Sequence, residues 1–106
     1  MSHQRQQEIR HLRAIGHKLK PVVTVASKGL TENVLAEVER ALNDHELIKV
    51  RLSVGDRITR HAITLELCAS TGAELIQGIG NIVLLLRRAR KPDPKLSNLI
   101  RSLPTT

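Results

Sequence analysis

The sequence predicts a small α/β domain of the two-layer α+β type, with element order αβαβαββ and a four-stranded mixed sheet carrying its helices mainly on one face. Three observations predict it. Apolar residues recur at helical spacing in three segments, at Ile9/Leu12/Ile15, at Val34/Leu35/Val38/Ala41/Leu42 and at Ile58/Ala62/Leu65/Ala69. Between and after them lie β-branched, alternating or apolar runs over 22–25, 46–54, 74–79 and 82–88. Two consecutive β–α–β passages favour parallel strands with right-handed crossovers, and a closing hairpin adds an antiparallel strand.

The first helix, about 4–16, is expected to end at Gly16, whose missing Cβ suits a left-handed cap. Pro21 blocks helix continuation, and Val22-Val23-Thr24-Val25 has the β-branched character of a largely buried strand. Ala26-Ser27-Lys28-Gly29-Leu30 forms a tight loop, and Thr31 is suited to cap the second helix, 32–43. Residues 46–54 alternate, with Ile48, Val50, Leu52 and Val54 facing one way and Leu47, Lys49, Arg51 and Ser53 the other. One of these faces must meet the core while the other presents Lys49 and Arg51 to solvent.

Gly55-Asp56 breaks that strand and can cap a third helix over 57–71, closed by Gly72. Its Ile58-Thr59 and Ile63-Thr64-Leu65 are strand-like in composition, but the length and the 58/62/65/69 spacing favour helix. Gly80-Asn81 joins the last two strands as a two-residue hairpin turn. Pro92 and Pro94 then interrupt the pattern, so residues 1–91 read as a single domain and 92–106 as a mobile C-terminal tail. Leu96, Leu99, Ile100 and Leu103 could make one or two helical turns within that tail.

Charge narrows the function. Seventeen Lys and Arg against ten Asp and Glu give +7. Residues 1–30 hold six bases and one acid, 31–75 five bases and eight acids, and 76–106 six bases and one acid. This basic–acidic–basic layout implies that the two ends converge on a surface facing a polyanion. With no Phe, Trp or Tyr, aromatic base-stacking platforms are excluded apart from His or Arg planes. An RNA ligand would then be held mainly by phosphate contacts, backbone N–H groups and shape.

The single cysteine, Cys68, excludes an internal disulfide and fits a reducing cytoplasm. No apolar run approaches the roughly 20 residues of a membrane span, and the first residues do not resemble a secretory signal. His3, His11, His17, His45 and His61 are scattered without ligand spacing, so neither a metal nor another cofactor is expected. There is no nucleophile elbow, no Gly-Lys-Ser phosphate loop and no dinucleotide fingerprint. Glu37 and Glu39, two apart, cannot share a helix face as an acid/base pair. No catalytic residue is expected, and the sequence reads as a binding protein rather than an enzyme.

Several residues are candidates for contacting RNA. Ser27-Lys28-Gly29 leads into a helix N-terminus, where unpaired N–H groups, the helix dipole and the Lys28 charge could seat a phosphate. Lys18 and Lys20 flank the start of the first strand, with Lys49 and Arg51 on a neighbouring one, so together with Lys28 they could form a stripe following an RNA backbone. Arg87 and Arg88 are adjacent at a strand end and must point to opposite faces, so at most one joins the stripe. The alternative is a protein-interaction module binding an acidic translation or ribosomal partner, using the acidic middle and the apolar residues of the tail.

The run from Leu12 to Leu42 resembles the bacterial YhbY family, whose fold is called the CRM domain. The resemblance rests on Leu19-Lys20-Pro21-Val22-Val23, on Lys28-Gly29-Leu30-Thr31 and on Val34-Leu35-Ala36-Glu37-Val38. It continues through His45-Glu46-Leu47-Ile48-Lys49-Val50 and returns in Gly80-Asn81-Ile82-Val83-Leu84, covering about residues 8–90. It implies a fold similar to the C-terminal domain of bacterial translation initiation factor three. It further implies RNA binding and association with ribosomal RNA in precursors of the large subunit. Separately from the resemblance, the protein is expected to be a monomer. Two positions depart from the family pattern. Ala26 stands where the family's loop usually has its first glycine, and Leu85-Leu86-Arg87 lacks the tyrosine common before that arginine.

Overall fold

The computed structural model describes residues 2–103. Helix α1 runs His3–His17, strand β1 Pro21–Val25, helix α2 Glu32–His45, strand β2 Leu47–Leu52 and helix α3 Arg57–Thr71. Strands β3 (Glu74–Ile79) and β4 (Ile82–Leu86) and a one-turn helix α4 (Asn98–Arg101) follow. The sheet order is β1-β2-β4-β3. β1 and β2 are parallel, and β4 is antiparallel to both its neighbours. β3 therefore runs in the same direction as β2, and the chain crosses over through α3 to leave a one-strand gap that β4 fills by the hairpin.

The expected capping holds where side chains can supply it. Thr31 and Asp56 accept from the backbone N–H groups of Val34 and Thr59 at the starts of α2 and α3. Gly72 closes α3 at φ 74°, a left-handed conformation that costs glycine least. Gly16 behaves differently from expectation. It lies inside α1, with Lys18 as the C-cap, and is buried. A Cβ there would sit 2.5 Å from Leu84 Cδ2, so the glycine is needed for close helix–sheet approach rather than for ending the helix.

Two apolar layers flank the sheet. On one face, Val38, Ala41 and Leu42 of α2 and Ile63 and Leu67 of α3 meet Val23, Val25, Ile48, Val50, Leu52, Val83 and Leu85. On the other, Leu12 and Ile15 of α1 meet Leu47, Ile76, Leu84 and Leu86, with Leu99 from the C-terminal segment alongside. The expected placement of helices mainly on one face thus describes the two crossover helices, while α1 and α4 lie on the opposite face.

The helical spacing at Ile58, Ala62, Leu65 and Ala69 marks a real helix but not its buried side. All four of these residues are exposed, and α3 buries Ile63, Thr64, Leu67 and Thr71 instead. The two threonines can be buried because their hydroxyls donate to Arg60 O and Leu67 O, each at 2.8 Å. A hydropathy pattern counts them as polar and so assigns the wrong face.

The segment expected to be a mobile tail is docked as far as the described residues go, and 104–106 lie outside them. Its anchor is Glu46, a non-glycine residue at φ 63° that joins α2 to β2. The buried Glu46 carboxylate accepts from Ser97 Oγ and from Ala89 N, each at 2.6 Å, and Asn98 donates to Leu47 O. Ser97 is fully buried and also caps α4. Left-handed backbone at a residue with a Cβ costs on the order of 1–3 kcal/mol, which these bonds offset.

Candidate nucleic-acid interface

Helix α1 covers only part of its face of the sheet. Its final turn rests on Leu84 through Gly16, and beyond that contact Thr24, Arg51 and Ile79 are exposed on the strands. The strand register sets two rows across this open half, Pro21–Lys49–Leu84–Gln77 and Thr24–Arg51–Ile82–Ile79. Along β2 the same face passes from buried Leu47 through half-buried Lys49 to exposed Arg51. At ~3.3 Å per residue the two cationic positions stand roughly 7 Å apart. Between them and β3 lies a shallow depression of about 230 Å³, lined by His17, Lys49, Gln77, Ile79, Ile82 and Leu84.

Three loops border this open half at one end of the sheet. Ser53 N donates to Val25 O and Leu52 N to Asn81 O, which brings together the loops after β1 and β2 and the β3–β4 turn. Helices α2 and α3 both begin there, so two positive dipole ends lie at the same edge. In the first of these loops Gly29 N donates to Ala26 O at 2.8 Å, closing a turn that places Gly29 at φ 75°. A side chain at Gly29 would meet open space, so backbone conformation alone requires the glycine. Among the described residues Glu46 is the one non-glycine with positive φ, so Ala26 needs no left-handed backbone and sits in the loop without strain. Ser27 and Lys28 project from this turn, exposed.

The candidate cations separate into two groups. Lys18 caps α1, Lys20 precedes β1, Lys49 and Arg51 line the open face, and Lys28 lies in the loop beyond the end of β1. They follow β1 and β2 from one end to the other, and none of the five joins an ion pair among the described residues. Arg87 and Arg88 point to opposite sides, as adjacent strand-end residues must. Arg88 turns to the α1 side and pairs with Glu8 Oε1 at 2.9 Å. Arg87 turns to the α2/α3 side and donates to Glu39 Oε2, Thr71 O and Asn43 Oδ1, each at 2.8 Å. Its donors are occupied in joining α2, α3 and β4, away from the cationic stripe.

The charge segregation of the chain becomes a polarity of the molecule. Helices α2 and α3, with the Asp56 cap, carry six acids and three bases on one side of the sheet. Helix α1 with Lys18 and Lys20 carries five bases and one acid on the other. Sequence reasoning missed Arg10 and Arg13, which are exposed on α1, and also His17, Gln77 and Ile79 in the depression. Ile79 in particular lies at the end of the apolar run 74–79, and it is 65% exposed. Only the position of the end of α1 decides this, and no local signal carries it.

Other chemistry is sparse. Cys68 packs against the α2/α3 core, where burial pushes its thiol pKa up and so holds it in the unreactive protonated form. Among the described residues there is no group of three or more His, Cys, Asp or Glu that could hold a metal ion. No helix among them is long and apolar enough to cross a membrane.

Comparison with known proteins agrees with this architecture. The CRS1 / YhbY (CRM) domain matches residues 5–87. A protein of Pseudomonas aeruginosa named as a probable RNA-binding protein is 52% identical over 96 residues, covering 91% of this chain and 92% of its own. An RNA-binding protein of Haemophilus influenzae is 47% identical over 85 residues, covering 80% and 86% respectively. Among solved structures, a Staphylococcus aureus protein described as a candidate RNA binder superposes with a TM-score of 0.71 at 26% identity. That match covers 80% of this chain and 88% of the other.

Proposed function

The chain belongs to the CRS1 / YhbY (CRM) domain family, and from that premise we propose that it is a monomeric, cytoplasmic RNA-binding protein acting in assembly of the large ribosomal subunit. It holds a segment of precursor ribosomal RNA by its phosphates and performs no catalysis. The observation that carries this reading is the line of cations from Lys18 and Lys20 past Lys49 and Arg51 on the open face to Lys28 in the loop beyond β1, none of them in an ion pair among the described residues. Open strand rows present Lys49 and Arg51 at roughly 7 Å intervals, and the Ser27-Lys28-Gly29 turn adds a positive group beside two helix N-termini. The acidic layer on the far side orients the molecule, because a polyanion is repelled from α2 and attracted to the α1 side.

The test is equilibrium binding to purified ribosomal RNA and to an unrelated RNA of equal length across a salt series. The log–log slope should equal roughly −0.7 for each phosphate neutralised on a single strand, and be steeper on duplex. Lys28→Ala, Lys49→Ala and Arg51→Ala should each flatten it by about one contact while leaving the melting temperature unchanged. The assembly role is checked separately by co-sedimentation with large-subunit precursors. Slopes unaffected by all three substitutions would place the interface elsewhere.

A second reading has one observation in its favour. The outward stripe Ile58, Ala62, Leu65 and Ala69 on α3 is apolar and exposed among the described residues, as a protein-docking helix would be. Capture of a partner that survives nuclease treatment, and is lost on Leu65→Glu, would support it.

A further inference from the structure

We propose that the depression on the uncovered half of the sheet is a seat for one unpaired nucleobase of the bound RNA, a contact distinct from the phosphate stripe beside it. The inference rests on the RNA-binding reading above and adds what the RNA must offer: a base out of its helix.

The floor is apolar. Ile79 and Ile82 pair across the β3–β4 register and face the open side, and Leu84, buried beneath Gly16, closes the depression toward α1. Ile79 is 65% exposed at the edge of a cationic surface, where a large aliphatic side chain gains nothing from solvent. The walls are polar and suited to a base. Gln77 offers an amide donor and acceptor together, the pair that reads a base edge bidentately. His17, exposed at the end of α1, offers one of the few π planes available to a chain with no Phe, Trp or Tyr.

Size and charge select the occupant. About 230 Å³ is below the roughly 300–1,000 Å³ of pockets that enclose drug-sized ligands, so the site suits a single planar group held on one face. No acidic side chain lines it, which disfavours a cationic ligand, and Lys49 stands in its wall with Arg51 in the adjacent row. Phosphates on either side of an inserted base would therefore meet cations already in place. A fully paired helix offers no free base to enter, so the seat would make the protein prefer loops, bulges or single strands over duplex.

The experiment compares two RNAs of equal phosphate number, a hairpin with an unpaired loop and a blunt duplex, against the wild type and the variants Ile79→Ser and Gln77→Ala. The wild type should bind the hairpin more tightly. Each variant should lose about five- to tenfold in hairpin affinity, the scale of one lost apolar contact or one lost base-edge pair. Duplex affinity and the hairpin's salt slope should stay unchanged, because a base contact releases no counterions. As an independent readout, a loop 4-thiouridine should photocrosslink to the peptide containing β3 and β4. Equal affinity for the two RNAs, or variants that weaken both equally or neither, with crosslinks outside β3–β4, would overturn the seat while leaving RNA binding intact. Binding to neither RNA would remove the RNA-binding reading and the seat with it.

Discussion

The two faces of the sheet receive the same kind of strand residue and treat it differently. On the α2/α3 side, Val23, Val25, Ile48, Val50, Leu52, Val83 and Leu85 are all buried beneath two full helices. On the α1 side one helix covers one half, and the side chains change along each strand at the place where its cover stops. Leu47 gives way to Lys49 and Arg51 on β2, and buried Ile76 gives way to Gln77 and exposed Ile79 on β3. The first face stores stability and the second spends part of its area on presenting charge. Substitutions on the two faces should accordingly move different observables.

The largest effect is expected in the covered core. Leu67 is fully buried between α3 and the sheet, and Leu67→Ala should cost about 2–5 kcal/mol by chemical denaturation, from lost transfer energy and the cavity left behind. Ile79→Ala, equally apolar but mostly exposed, should stay within about 0.5 kcal/mol. Equal losses at the two positions would mean that the α1 side is covered in solution.

Arginine makes the same contrast at smaller scale. Arg87→Ala removes three short hydrogen bonds joining α2, α3 and β4, and should cost about 1–3 kcal/mol with the RNA salt slope unchanged. Arg51→Ala should do the reverse, leaving the melting temperature and flattening the slope. The comparison fails if Arg87→Ala lowers the slope at full stability.

Most of the fold was legible because its signals are local. Seven elements lie close to where periodicity puts them, and Thr31, Asp56 and Gly72 act as the caps their chemistry suggests. Misreadings occur where a distant partner decides. Gly16 needs Leu84, 68 positions away, to be seen as a packing glycine, and Glu46 needs Ala89 and Ser97 to hold a left-handed backbone. The threonines of α3 hide a buried face behind polar names, since their hydroxyls are satisfied within the helix itself. In the candidate site, the alternation over 47–51 announced Lys49 and Arg51, because a half-covered strand must show one face. Gln77 and Ile79 could not be found this way, since their exposure depends on the end of a helix more than 50 residues earlier. Arg87 and Arg88 look equivalent in sequence, and only the acids within reach of each side tell them apart.

The smallest effect tests how the covering layer is fastened at the end it shares with the open face. Asp56 accepts from Thr59 N at 2.8 Å to start α3, and this backbone bond, aided by the Thr59 hydroxyl and the Arg60 charge, holds its carboxyl below the ordinary value of 3.8. A folded pKa below the unfolded one means that the cap's ionic contribution is present above the unfolded value and is lost as pH falls through the lowered one. Asp56→Asn keeps a side-chain acceptor but cannot titrate. The variant should therefore melt slightly below the wild type at pH 7, and the gap should close as the pH drops below about 4. A gap independent of pH would mean that the Asp56 charge adds nothing to α3 beyond what an uncharged cap acceptor supplies to Thr59 N.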